Sequence, residues 1–150
     1  MANRSTHTTA GTVAGLCLSG SLARREPLSA LAVEATGGAV GGALGSLVPD
    51  WIEPALHSWH RSFAHSYTTA SALATATIQW LEQWQQHCRN IAASHDEARA
   101  RATSDGMRLW HAFMAILWRF VSGFVAGFPA GYLSHLALDG CTPRGLPLLA

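Results

Sequence analysis

Residues 123–139, with the sequence GFVAGFPAGYLSHLALD, carry the pattern from which the architecture follows. Their glycines recur at every fourth position, at Gly123, Gly127 and Gly131. The same step continues to His135 and Asp139, so the glycine row ends in polar side chains. Because an α-helix has 3.6 residues per turn, each four-residue step moves about 40° around the axis and keeps successive residues close together. Such a row leaves one face of a helix without side chains, so the backbone of another helix can approach it closely.

A second glycine row occurs earlier, in the sequence GGAVGGALG at 37–45. It has the same spacing, at Gly37, Gly41 and Gly45. A composition rich in alanine and glycine also produces such spacings by chance, but both rows run directly into polar residues. The earlier row is followed by Pro49 and Asp50. If the two rows pack on each other, Asp50 comes close to His135 and Asp139 at one end of the helix pair.

The rest of the chain is helix-permissive and lacks the alternation of apolar and polar residues that is typical of strands. Helices are predicted at 12–23, 28–48, 61–102 and 107–138, with loops at 51–59 and after residue 140. Pro129 is expected to break or kink the last helix, because proline has no amide hydrogen to donate. Mixed charges predict that 83–105 is solvated. The sequence therefore predicts a single all-α domain over 1–150, a compact helical bundle with glycine-row helix packing.

Composition excludes several classes of protein. The chain has 150 residues, 49% hydrophobic and 13% charged, which excludes disorder of the whole chain. Its formal net charge is +1, with ten arginines and no lysine, so bulk electrostatics disfavours nucleic-acid binding. The cysteines Cys17, Cys88 and Cys141 are too widely spaced for a disulfide framework or a cysteine zinc site. We expect them to be small buried side chains in a reducing compartment.

Membrane association follows from one long uncharged segment. Residues 120–138 are nineteen residues without a formal charge, just long enough to cross a hydrocarbon core of about 30 Å. Pro129 and His135 inside that window argue against a span, because ionisable groups at depth are costly unless they serve a site. A spanning helix and a buried or membrane-surface helix both remain open. We expect a bacterial inner membrane protein or a membrane-associated protein, with the cytoplasmic side as one option.

Histidine is unusually frequent, with eight residues against nine acids. His135 and Asp139 are four residues apart, so they face the same way on a helix. His60 and His65 are five residues apart, so they share one metal only if His60 lies at or before the helix start, and the alternative is that they bind adjacent metals. Each feature also has an ordinary structural explanation, such as a buried histidine bonded to an aspartate one turn away. Together they predict a metal site built from imidazoles and carboxylates at apolar helix ends.

The other histidines and the tryptophans are less informative. His87 and His95 lie in the charged segment and are expected to be exposed. His57 and His111 have no spacing that requires them in the site. The tryptophans belong either to the core or to an interfacial belt at a bilayer surface, and the sequence does not separate the two.

Five sequence blocks occur in a fixed order: THTTAG at 6–11, Pro49-Asp50, HRSFAHS at 60–66, GYLSHLALD at 131–139 and TPRGLPLL at 142–149. Together they resemble the YdjM-like family of predicted membrane-bound, metal-dependent hydrolases. That family is in turn thought to be related to the all-α zinc-dependent phospholipases C and single-strand nucleases. The resemblance implies that the metal ligands are His7, Asp50, His60, His65, His135 and Asp139.

Two positions depart from the family pattern. Ile52 stands where a second aspartate usually follows Asp50, and Ala64 stands where threonine is usual. The missing carboxylate is a ligand or a base in that pattern, and Glu53 is the nearest residue that can replace it.

The resulting functional prediction is a membrane-associated hydrolase that uses Zn²⁺ or another divalent ion to cleave a phosphoester, such as a phospholipid or a nucleotide-type phosphodiester. Asp50, Glu53 and Arg61 are the predicted catalytic residues, with Arg61 or Arg144 neutralising phosphate charge. The expected partners are membrane lipids and a small-molecule or phospholipid substrate, and no nucleic acid. The alternative is a non-catalytic helical membrane or interaction protein with a structural or degenerate metal site.

Overall fold

A computed structural model of the chain describes residues 3–54, 63–142, 146 and 147. Within these ranges it contains five α-helices and no strand. They are α1 (Arg4–Leu22), α2 (Leu28–Gly45), the short α3 (Val48–Ile52), α4 (Tyr67–Arg101) and α5 (Asp105–Gly140). The four long helices pack as a bundle in which α5 contacts α1, α2 and α4. The all-α prediction is confirmed.

Glycine rows bring α2 and α5 into backbone contact, as predicted. A Cβ added at Gly131 would overlap the carbonyl group of Gly42, and one added at Gly45 would overlap the carbonyl group of Phe128. These contacts allow no side chain larger than hydrogen, which is the physical reason for glycine at each step. A further row was not identified from the sequence: Gly11 and Gly15 of α1 pack on Gly42 and Gly38 of α2. Helix α2 therefore contacts both α1 and α5 through its glycines.

The same contacts fix the directions of the helices. Gly123 faces Glu34 while Gly131 faces Gly42, so α5 runs parallel to α2. Gly11 meets Gly42 and Gly15 meets Gly38, so α1 runs antiparallel to α2. Helix α4 runs antiparallel to α5. As a result, the start of α1, the end of α2, α3 and the end of α5 meet at one end of the bundle, which we call the site end.

The helices differ from the prediction at several points, and α4 begins at Tyr67 rather than at residue 61 because Ser66 caps it. Helix α1 begins at Arg4, eight residues early, because the Asn3 side chain caps it by accepting a hydrogen bond from the Thr6 amide at 2.9 Å. Helix α5 is continuous through Pro129, so the predicted break is wrong. Proline costs a helix about 3 kcal/mol through one lost hydrogen bond and a steric clash. The close packing of Phe128 and Gly131 against α2 on either side of the proline offsets this cost.

The charged segment 83–105 is only partly solvated, which corrects the prediction. Gln85, Cys88 and Ala92 are buried on one face of α4, and Gln85 donates to the Ser122 carbonyl at 3.4 Å. The error arises because a helix face is buried by its neighbours whatever the charge of the opposite face. The expectation for the cysteines holds for Cys88 alone, since Cys17 and Cys141 are exposed.

A buried ion pair links α2 to α4. Glu34 is fully buried in α2, and its two carboxylate oxygens share the single Nε hydrogen of Arg89, while Arg89 Nη2 donates to Oε2 at 2.7 Å. The Ser122 hydroxyl donates to the same carboxylate from α5 at 3.2 Å. Glu34 lies within the helical segment Leu28–Ile52, which, like Asp105–Gly140, is long and apolar enough to cross a membrane. The pair satisfies a charge that would otherwise be costly at that position.

Candidate metal centre

His135 is the buried centre of the site end. Its Nδ1 lies 2.6 Å from the carbonyl oxygen of Ser46, at the end of α2. A carbonyl oxygen only accepts, so Nδ1 carries a proton, and in the neutral imidazole Nε2 is then the nitrogen with the free lone pair. Among the residues that the structure describes, Nε2 has no hydrogen-bond partner. It lies 3.4 Å from Asp139 Oδ2 and 3.7 Å from Asp50 Oδ1. A fully buried imidazole nitrogen that faces two carboxylates in this way is oriented like a metal ligand.

The His65 ring is oriented in the same way as that of His135, with Nε2 toward the two aspartates, but a side chain rather than a backbone carbonyl contacts its Nδ1. Glu53 Oε2 lies 3.0 Å from His65 Nδ1, which directs Nε2 toward Asp50 Oδ1 at 3.5 Å and Asp139 Oδ2 at 3.7 Å. Glu53 also accepts a hydrogen bond from the Ala64 amide at 3.0 Å. The carboxylate therefore fixes both the ring and the backbone turn before α4. A carboxylate on the far nitrogen of a ligating histidine is the usual second support of a metal site.

Tyr132 of α5 holds the same turn from the other side. Its hydroxyl donates to the Ala64 carbonyl at 2.8 Å, so α5 positions the backbone just before His65 as well as His135 itself. Ser66 then begins α4 by capping it, since its hydroxyl accepts from the Thr69 amide at 3.1 Å. The turn that carries His65 is thus fixed by contacts to α3, α4 and α5.

His7 joins the cluster from the first turns of α1. Its ring stacks on that of His135, with centroids 3.9 Å apart and an interplanar angle of 19°. His7 Nε2 lies 3.8 Å from Asp139 Oδ1, the oxygen that does not face His135. Asp139 therefore presents one oxygen to His7 and the other to His65 and His135.

The distances fit shared coordination better than direct hydrogen bonding. The nitrogen-to-oxygen separations within the cluster run from 3.4 to 3.8 Å. A charge-assisted hydrogen bond would bring these atoms to about 2.8 Å. Two ligands on a tetrahedral zinc ion, with bonds of about 2.1 Å, are about 3.4 Å apart. Two overlapping groups have all ligand atoms within 4.8 Å, and both contain His135: His7 with His135 and Asp139, and Asp50 with His65 and His135.

Burial is uneven around the cluster. The side chains of His65 and His135 have 0% exposure, and those of His7 and Asp139 are buried. The Asp50 side chain is 40% exposed. A structural zinc site is closed by protein ligands, whereas a catalytic site keeps a position open to solvent or substrate. Among the described members of the cluster, Asp50 is therefore the one that reaches solvent.

The structure brings together five of the six predicted ligands: His7, Asp50, His65, His135 and Asp139. The sixth, His60, and the predicted catalytic Arg61 lie outside the described residues, as do His57 and Arg144. The structure places Glu53 behind His65, against the nitrogen that faces away from the cluster. Ile52, which replaces the usual acid, is exposed.

Two supporting groups were missed by the sequence analysis, the Ser46 carbonyl and the Tyr132 hydroxyl. A backbone carbonyl has no sequence signal, since every residue supplies one. Tyr132 is three residues before His135 in the predicted helix, and this shared face was the available signal.

The other histidines that the structure describes, His87, His95 and His111, lie apart from this cluster. His95 Nδ1 lies 2.9 Å from His111 Nδ1, between α4 and α5. His95 is half-buried, so the prediction that it is exposed is wrong, because α5 covers that face of α4. His87 is exposed as predicted. The open question about His111 is resolved, since it pairs with His95 away from the site end.

Comparison with protein families gives a match over the whole chain. The model of a family described as YdjM inner membrane protein matches residues 1–150. No curated protein and no solved structure matches the chain. The family description accords with the two helical segments that are long and apolar enough to cross a membrane.

Proposed function

The chain belongs to the YdjM inner membrane protein family, and from this we propose that it is a membrane hydrolase that cleaves a phosphoester with a divalent metal ion. The observation that carries the proposal is the convergence of buried imidazoles and carboxylates from α1, α3, α5 and the turn before α4. Packing alone gives no reason to gather these groups in an apolar bundle, because each buried polar group costs free energy unless it is paired.

The donor set favours zinc. Imidazole nitrogen and carboxylate oxygen are the ligands of catalytic zinc sites, which use three protein ligands and leave one position open. Among the five ligands that the structure describes, Asp50 is the one with substantial exposure to solvent, so substrate would approach beside it. A divalent ion of this class activates water as a nucleophile and polarises a phosphoryl oxygen.

Residues of this chain would orient the metal ligands and stabilise the phosphate of the substrate. Glu53 and the Ser46 carbonyl hold His65 and His135 with their Nε2 atoms toward the centre. Glu53 is then a positioning residue, and Asp50 is the acid placed to contact substrate. Arg61, four residues before His65, is proposed to neutralise the charge that develops on the phosphate, through its fork of donors.

A lipid phosphoester is the favoured substrate class. Trp51 and Ile52, between Asp50 and Glu53 in the chain, and Phe63, two residues before His65, are large apolar residues that are exposed. Apolar side chains around the open side of a polar centre suit a substrate that has both an acyl chain and a phosphate. Membrane lipids are therefore proposed as partners, and either the lipid itself or a small amphiphilic phosphoester as substrate.

A structural or degenerate metal site is the alternative, and the departure at Ile52 favours it. This position supplies no carboxylate, and Glu53 contacts the far side of His65. On this alternative the protein binds a metal that stabilises the bundle but does not turn over phosphoesters.

Elemental analysis of the detergent-purified protein tests metal binding first. Wild type should carry stoichiometric divalent metal, while His135→Ala and Asp139→Ala should lose most of it. His87→Ala, which removes an exposed histidine far from the cluster, is the matched control and should retain the metal. Equally negligible metal in all four proteins would end the metal hypothesis.

Activity then separates the hydrolase from the structural site. Phospholipids and model phosphodiesters are incubated with the protein, with chelator, and with chelator followed by added zinc. The hydrolase proposal expects cleavage that the chelator abolishes and zinc restores. A protein that retains its metal through purification but cleaves no substrate of either class would support the structural alternative.

A further inference from the structure

The bundle has two chemically different ends, and their difference bears on its orientation in the membrane. Opposite the site end, the chain forms the α1–α2 loop and the helical hairpin between α4 and α5; we call this the hairpin end. There α5 passes the start of α2, since Pro27 and Ala30 share a cavity with Ala115 and Arg119. Residues 105–111 of α5 therefore project beyond α2.

Uncharged stretches of the four long helices lie side by side. Residues 5–22 of α1, 67–81 of α4 and 120–138 of α5 carry no Asp, Glu, Lys or Arg, and α2 carries only the buried Glu34. Nineteen residues of α-helix span about 28 Å, close to the thickness of a hydrocarbon core. Because Gly42 of α2 contacts both Gly11 and Gly131, these stretches occupy one common layer.

The directions of the helices show that the two most apolar segments are not the only ones, among the described helices, that must cross the membrane. Helices α2 and α5 run parallel, so the chain must return through the layer between them. Helix α4 is the described helix that does so. Its exposed Tyr67 and Trp84 are seventeen residues apart, about 26 Å along the axis, as expected for aromatic side chains at the two membrane interfaces.

Arginine is distributed unevenly between the two ends. The hairpin end has six of the ten, Arg24, Arg25, Arg99, Arg101, Arg108 and Arg119, while Arg89 is paired with Glu34 inside the bundle. Among the arginines that the structure describes, Arg4 is the one at the site end, and Arg61 and Arg144 lie outside the described residues. Positive residues flanking membrane spans are enriched on the cytoplasmic side.

We propose that the bundle crosses the inner membrane with its hairpin end in the cytoplasm and its metal centre at the periplasmic face. The metal centre would then meet substrates of the outer leaflet or the periplasm rather than cytoplasmic ones. This inference rests on family membership and on the position of the cluster, and it does not require hydrolase activity.

The chain supplies its own probe for the test. Cys141 is exposed at the end of α5, at the site end, and Cys88 is buried. A Cys17→Ser variant leaves Cys141 as the accessible thiol. The matched protein carries Cys17→Ser, Cys141→Ser and Gly106→Cys, which places the thiol at the hairpin end. A Cβ at Gly106 meets nothing within 4 Å, so this substitution should not disturb the fold.

Intact and permeabilised spheroplasts are treated with a membrane-impermeant maleimide, and labelling is expressed as a fraction of that in SDS. Size-exclusion profiles of both variants must match wild type. We expect Cys141 to label in intact spheroplasts and Gly106→Cys to label at least tenfold more after permeabilisation. Labelling of Gly106→Cys in intact spheroplasts, or of Cys141 only after permeabilisation, overturns the orientation. Labelling of both thiols in SDS alone also overturns it, because neither end would then be at an aqueous face.

Discussion

Replacement of Gly131 by alanine tests the backbone contact that joins α2 to α5. The new Cβ would overlap the Cα and carbonyl group of Gly42, and backbone cannot move aside as a flexible side chain can. Overpacking of this kind costs about 1–3 kcal/mol, and the upper part of that range applies to a backbone obstacle. Alanine recovers up to about 1 kcal/mol through its better helix propensity. The net expected loss of stability is therefore about 2 kcal/mol.

Thermal unfolding followed by circular dichroism in detergent measures this effect. For a chain of this size a loss of about 2 kcal/mol corresponds to a decrease in Tm of roughly 4–8 °C. Gly106→Ala is the matched control, because its Cβ contacts nothing within 4 Å, and its Tm should stay within about 2 °C of wild type or increase.

The same variant should weaken the metal centre. Gly131 is one turn before His135, whose Nδ1 bonds the Ser46 carbonyl across the same interface. Separation of α2 from α5 lengthens that bond and loosens the ring, so metal affinity should fall together with Tm. Equal Tm values for Gly131→Ala and Gly106→Ala would refute the reasoning, since the two substitutions differ only in what the new methyl group meets.

Further predictions concern the supports of the cluster and the buried ion pair. Glu53→Gln should reduce metal affinity roughly 10- to 100-fold in a competitive chelator titration, the range for loss of an outer support, while Glu82→Gln, on exposed α4 surface, should leave it unchanged. Unchanged affinity of Glu53→Gln would show that this carboxylate does not orient His65. Glu34→Ala should destabilise the protein by about 3 kcal/mol, because it leaves the largely buried Arg89 without its main partner. Glu97→Ala, which removes an exposed pair with Arg101, should cost less than about 0.5 kcal/mol, and similar losses in the two variants would contradict the importance of burial. A chelator should lower the Tm of wild type but not that of His135→Ala, because a metal bound 1,000-fold above its Kd stabilises the folded state by about 4 kcal/mol; an equal decrease in both proteins would indicate an effect unrelated to this site.

Residue spacing was sufficient to predict the glycine contacts and much of the cluster. Positions four residues apart in one helix share a face whatever the rest of the chain does, so His135 and Asp139 had to be neighbours once α5 formed. The glycine rows likewise identified the two helices that come closest. This is why Asp50 was placed correctly near the end of α5, ninety residues away in the chain.

Other features depend on contacts between distant segments and could not be predicted from the sequence. Pro129 interrupts a helix in isolation, yet in the bundle the packing of α5 on α2 outweighs the lost hydrogen bond. The burial of one face of α4 was likewise not predicted, because the charged residues on its other face made the whole segment look solvated.

The sequence by itself determined the helical class, the two glycine rows and the types of donor atom at the site end, because these depend on periodicity and side-chain chemistry within short segments. The tertiary structure decided which nitrogen of each histidine faces the carboxylates, since the Ser46 carbonyl and Glu53 come from other elements. It also decided the third glycine contact, between α1 and α2. The physical reason is that the register between helices is set by how closely their backbones approach, and that distance is a property of the assembled bundle.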